Sequence, residues 1–238
     1  MSMHRLLLVA AAAPLALVST TAWAQDAEEE EPSGAWEIDG ELGVLSDYRF
    51  RGISLSQKDT EVTAEVSVSH ESGFYAGVWA SNVALIDDAD NVEVDIYAGY
   101  ATDVGSLSFD VGAVYYSYPG HNGEFGYFDL LASVSTAVGP GTVTVGAAYA
   151  PSQGNLGHTD NTYVYISGDL PVGETPLSVH GTFGYEDGAF ADSKKDWLIG
   201  ASYDLGSGIS ATVDYVDTAH SFTELGDATV VASLAFSF

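Results

Sequence analysis

The stretch Trp36-Glu37-Ile38-Asp39-Gly40-Glu41-Leu42-Gly43-Val44-Leu45-Ser46-Asp47-Tyr48-Arg49-Phe50-Arg51 alternates apolar and charged residues along most of its length. Trp36, Ile38, Leu42, Val44, Tyr48 and Phe50 fall on one face of an extended chain. Glu37, Asp39, Glu41, Asp47, Arg49 and Arg51 fall on the other, because side chains alternate across a strand. A half-buried strand of a soluble sheet also alternates. One this long, charged at nearly every polar position, suits a lipid face backed by a wet lumen.

The same alternation recurs downstream. Val62, Ala64, Val66 and Val68 oppose Glu61, Thr63, Glu65 and Ser67; Val92, Val94, Ile96 and Ala98 oppose Glu93, Asp95, Tyr97 and Gly99. Leu107, Phe109, Val111, Ala113 and Tyr115 oppose Asp110, Gly112 and Tyr116, and later segments follow suit. The chain stops on such a segment, with Val230, Ala232, Leu234, Phe236 and Phe238 on one face, which reads as a last strand pairing with the first and removing the open edge. In all there are about twelve strands, an even number as a single-chain barrel requires. The connections alternate in length. Tight ones lie near residues 71–73, 102–105, 139–141, 171–176 and 205–208, and long ones near 52–59, 82–91, 118–126, 151–161, 187–195 and 217–227. Short periplasmic turns and longer extracellular loops give this asymmetry, and a Greek-key sandwich has no reason to. Aromatics near the strand ends (Trp36, Tyr48, Phe74, Tyr100, Tyr115, Tyr149, Tyr185, Trp197, Tyr215, Phe238) read as interfacial girdles. The expected fold is all-β, a transmembrane up-and-down antiparallel barrel.

Residues 1–24 read as a secretory signal peptide, with His4 and Arg5 as the basic region, an apolar run from Leu6 to Val18 and an Ala22-Trp23-Ala24 cleavage site. Residues 25–34 are an acidic leader without apolar period, expected to be disordered and periplasmic, and 35–238 form the barrel. The apolar run is too short for a permanent transmembrane helix, so insertion must use strands. There is no cysteine, which excludes disulfides and thiol-ligated metal sites. With 34 acidic and 6 basic residues the formal net charge is −28, which argues against nucleic acid and fits a surface or lumen that attracts cations.

Four stretches carry a resemblance: Ser46-Asp47-Tyr48-Arg49-Phe50-Arg51-Gly52-Ile53-Ser54, the segment Ser72 to Val83, Glu93-Val94-Asp95-Ile96-Tyr97-Ala98-Gly99-Tyr100, and Tyr116-Ser117-Tyr118-Pro119-Gly120. Together they resemble the TorF family of porins, a set of conserved hypothetical proteobacterial proteins. The likeness covers the mature chain and is most specific over residues 46–120, departing at Leu55, where a Gln is expected. It implies an outer-membrane barrel that conducts solutes, and it carries over no catalytic residue.

Asp47, Arg49 and Arg51 are the notable cluster, because basic residues are so scarce. A charge facing lipid at mid-depth costs about 2–4 kcal/mol, so these side chains are expected in the lumen or at its rim. There they would meet Glu65, Glu93, Asp95 and Asp110. Two readings stand together: a constriction whose transverse field selects solutes, and a salt-bridge network filling a narrow lumen. Asp87-Asp88-Ala89-Asp90-Asn91 offers oxygen ligands without EF-hand spacing, so a solvated acidic loop is expected. His70, His121, His158, His180 and His220 lie apart, and no G-x-S-x-G elbow accompanies Ser178 and His180, so no enzyme, metal or cofactor is expected. The expected function is passive diffusion of small hydrophilic solutes across the cell outer membrane, leaning to cations, with lipid and solutes as partners. The alternative is a closed structural or interaction barrel whose acidic loops bind a partner or divalent cations.

Overall fold

The computed structural model describes residues 36–84, 91–119 and 125–238. The expected signal peptide, the acidic leader, residues 87–90 of the acidic loop and His121 lie outside the described residues. In chain order the strands are β1 (Trp36–Leu45), β2 (Arg49–Phe50), β3 (Ile53–Ser54), β4 (Glu61–His70), β5 (Phe74–Val83), β6 (Asn91–Val104) and β7 (Leu107–Ser117). They continue as β8 (Tyr127–Val138), β9 (Gly141–Ala150), β10 (Asn161–Pro171), β11 (Leu177–Gly188), β12 (Lys194–Gly206), β13 (Ile209–Ala219) and β14 (Thr229–Ser237). All but β2 and β3 form one closed antiparallel barrel of twelve strands in sequential order, with β1 paired to β14.

The last strand pairs with the first as expected, in a register that runs from Glu41 opposite Ser237 to Leu45 opposite Ser233. Phe238 adds one rung beyond β14: Gly40 N–H donates to Phe238 O at 2.8 Å, and Phe238 N–H to Gly40 O at 2.9 Å. No edge is left to template further pairing. The outward face is apolar around the whole circumference, with Ile38, Val66, Ile96, Val111, Ile166, Ile199, Val213 and Leu234 all exposed. An exposed apolar band of this extent belongs against lipid.

Two sequence expectations need correction. The connection between β11 and β12 shrinks to residues 189–193, no longer than the 172–176 turn, because both strands run further than their apolar pattern implies. Elsewhere long and short connections alternate as expected. The second correction concerns Tyr48 and Phe50, expected on the lipid face. β1 ends at Leu45, and the chain bends inward at Ser46, so both rings lie inside the barrel, 1% and 8% exposed. Tyr48 is no girdle residue. The alternation continues through 46–51 because the segment re-forms as an extended hairpin on a new axis.

Residues 46–60 therefore fold into the barrel end that carries the long connections. Tyr48, Phe50, Leu55, Tyr116, Tyr118, Tyr127 and Phe190 form a buried apolar cluster there, inside the barrel. At this level every barrel strand supplies a buried inward residue, among them Gly43, Glu61, Ser81, Glu93, Tyr116, Tyr127, Ala150, Asn161, Glu186, Lys194, Val216 and Val231. Towards the short turns the inward residues, such as Glu65, Ser133, Thr144, Ser167, His180 and Asp214, are only partly shielded. The barrel is thus filled at one end and wet at the other.

Candidate functional site

The inward hairpin is built by local chemistry. Arg49 pairs with Ser54 and Phe50 with Ile53, across a turn at Arg51 and Gly52 with φ of 45° and 84°. Two positive φ values are the signature of the tightest hairpin turn, which prefers Asn or Gly at its first corner. An arginine there is strained by about 1–2 kcal/mol. Asp47 organises the rest: its carboxylate accepts Ser54 Oγ at 2.6 Å, Ser56 Oγ at 3.2 Å and Arg49 Nε at 2.6 Å. Arg49 Nη1 also donates to the carbonyls of Leu225 at 2.7 Å and Asp227 at 3.1 Å, fastening the hairpin to the β13–β14 connection.

Arg51 crosses to the opposite wall. Its Nη2 donates to Asp129 Oδ2 on β8 at 2.7 Å and its Nη1 to Glu186 Oε1 on β11 at 2.8 Å. Its guanidinium carbon lies 4.4 Å from the Phe50 ring centroid and 4.7 Å from that of Tyr163. Lys194 on β12 completes the network, 2.7 Å from Glu186 Oε2 and hydrogen-bonded to the Arg51 carbonyl. Asn161 Nδ2 donates to Glu186 at 2.9 Å, and Tyr163 donates its hydroxyl to Asp196 Oδ2 at 3.0 Å. Burial works against the Arg51 charge, but Glu186 and Asp129 outweigh it and hold the guanidinium above its ordinary pKa.

The facing wall is acidic. Tyr118 donates to Glu93 Oε1 at 2.8 Å, while both oxygens of the buried Glu61 and the Tyr48 hydroxyl have no hydrogen-bond partner. Burial pushes the Tyr48 phenol up, and Glu93, Asp95 and Glu61 push it further. Deeper in the lumen Tyr97 donates to Glu65, Tyr75 to Asp110 Oδ1 at 3.0 Å, and His180 Nε2 lies 2.7 Å from Asp214 Oδ1. Among the described residues no three His, Asp or Glu side chains converge to hold a metal ion.

The expected site residues thus divide in two. Asp47, Arg49 and Arg51 lie not on strand one but in the inward hairpin, where Arg49 pairs with Asp47, and Arg51 with Asp129 and Glu186 on the opposite wall. The four other expected carboxylates do face inward, Glu93 and Asp95 at the filled level and Glu65 and Asp110 beside the wet lumen. Glu61, Asp129, Glu186, Lys194 and Asp196 were missed as site residues. Alternation places Lys194 and Asp196 on one face, and Lys194 is one of only six basic residues, so that signal was available.

A family model described as "Bacterial protein of unknown function (Gcw_chp)" matches residues 29–238. The chain belongs to the Gcw_chp family. The TorF name stays with the sequence resemblance, since the family description does not include it. No functionally curated protein matches the chain in sequence. Among solved structures, the KdgM porin is similar with a TM-score of 0.57 at 12% identity, over 84% of this chain and 98% of that one. The KdgM porin in complex with disordered oligogalacturonate gives the same TM-score and coverage at 11% identity. An outer-membrane channel from Pseudomonas putida F1 has a TM-score of 0.50 at 9% identity, over 90% of this chain and 99% of that one. At such identities the likeness is one of fold.

Proposed function

We propose that this Gcw_chp protein is an outer-membrane porin-like channel that passes small hydrophilic solutes passively and favours cations. The observation that carries the reading is the closed barrel with an apolar outer band and a polar lumen that is wet towards the short turns. The similarity of fold to porins and to an outer-membrane channel supports it. Inward carboxylates outnumber inward basic groups: Glu65, Asp110 and Asp214 line the wet part, whereas Arg51 and Lys194 are held by acids at the mouth. Fixed negative charge in a narrow low-dielectric space concentrates cations and repels anions. An anionic sugar polymer such as the oligogalacturonate seen with KdgM is therefore a poor substrate here. The chemistry needs no cofactor, because transport rests on size and charge alone.

Proteoliposome swelling tests this. A small cationic or neutral solute should enter faster than an anionic one of equal size, and flux sums even rare openings. Swelling no faster than in empty vesicles would overturn the reading. A second reading, a closed interaction barrel, is favoured by one observation: the continuous buried layer at the mouth.

A further inference from the structure

We propose that the segment Ser46–Thr60 is a movable gate, and that Arg51 is the latch that pins it shut. The inference rests on the channel reading and adds its regulation. The segment fills the barrel cross-section, yet its hairpin has only two residues in each strand and no place in the barrel ladder. Its backbone is tied to its surroundings at the flanks, where Ser46 N–H donates to Ala232 O at 2.9 Å and Ala84 N–H to Leu55 O at 2.9 Å.

Between those ties, the hairpin tip is held by side chains. Arg51 carries the tip's ion pairs to the β8–β11 wall, and Lys194 grips the same residue's carbonyl. The corner at Arg51 has a left-handed backbone, which is uncommon and unfavourable for an arginine. Without the ion pairs the corner is held by hydrogen bonds from Lys194 to the Arg51 carbonyl and from Thr218 and Arg49 to the Gly52 carbonyl. Asp129 then loses its cation, while Glu186 keeps Lys194. Asp129, fully buried and left without its cation, recovers solvation once the hairpin swings out and water enters. Opening exposes Phe50 and Leu55, so the closed form is the resting one and openings are rare. The same side chains that build the seal thus set its stability.

Single-channel recording of the refolded protein tests the gate with two independent perturbations. Arg51→Ala removes the latch, and open-state occupancy should rise about a hundredfold, since breaking a buried ion pair by removing one partner is strongly destabilising. The second perturbation locks the gate. A Cβ built on Gly52 lies 3.4 Å from Thr218 Cβ, near the span of a disulfide, and 2.7 Å from Asp196 Cβ, so the corner at φ 84° must shift slightly to admit a cysteine; the chain has no cysteine of its own. Oxidised Gly52→Cys/Thr218→Cys protein should not open, and a reductant should restore openings. The lock reports on the gate even where Arg51→Ala fails to fold. Unchanged occupancy in folded Arg51→Ala protein, or openings that persist with the disulfide formed, would overturn the gate. Silence from a variant with residues 49–54 replaced by Gly and Ser would instead overturn the channel reading beneath it.

Discussion

Replacing Gly77 with alanine should destabilise the barrel by about 2–5 kcal/mol. Gly77 lies on β5 directly opposite Tyr97 on β6, and the tyrosine ring lies flat over it on the lumen wall. A Cβ at Gly77 would sit 2.2 Å from the Tyr97 hydroxyl oxygen and 2.3 Å from Cζ, so the ring must lift away. Lifting it breaks the bond from Tyr97 to Glu65, worth about 1.5–3 kcal/mol for a charged acceptor. Overpacking adds about 1–3 kcal/mol, and the usual gain of alanine over glycine in a strand returns about 0.5–1 kcal/mol. The backbone itself is ordinary at Gly77, so the effect is one of space and not of conformational freedom. Gly168 is the control: its nearest atom is 3.7 Å away, and alanine there should be neutral or mildly stabilising. Urea unfolding from lipid vesicles, followed by tryptophan fluorescence, measures both. Equal stability of Gly77→Ala and Gly168→Ala would refute the argument that tyrosine–glycine pairs keep the rings against the wall.

Three further outcomes are expected. Ile199→Lys on the outward face of β12, where Ile199 is 65% exposed, should cost about 2–4 kcal/mol in vesicle refolding, while Thr144→Lys on the inward face should cost little. Replacing Glu65 and Asp110 with Gln and Asn should lower cation preference, read as a smaller reversal potential under a salt gradient, because both carboxylates face the wet lumen. Deleting Phe238 removes the two backbone hydrogen bonds to Gly40 at the seam and should destabilise the barrel by about 1–3 kcal/mol, visible as a lower midpoint in urea.

The barrel was largely legible because a membrane strand obeys two simple rules at once. Alternation sorted Val62, Val66, Ile96 and Val111 outward and Glu65, Asp95 and Asp110 inward, and each lies where its period placed it. Connection lengths told a membrane barrel from a Greek-key sandwich. The site was legible only in part. Scarce basic residues drew notice to Arg49 and Arg51, but period alone cannot tell a strand that continues from one that bends back into its own lumen at Ser46. Tyr48 was misplaced for that reason. The partners of Arg51 lie 78 and 135 residues away, on β8 and β11, and no local pattern relates them. Glu61 reads from sequence as one more inward carboxylate; its complete burial depends on the hairpin above it.

Conductance in planar bilayers, with the reversal potential under a salt gradient, bears most directly on the central claim. The wild-type protein and the variant with residues 49–54 replaced by Gly and Ser should be recorded side by side. Rare discrete steps from the first, frequent steps from the second and cation selectivity in both are the predicted result. Silence from both, in preparations whose barrels are folded and heat-modifiable, would contradict it and leave the closed interaction barrel as the account of this protein.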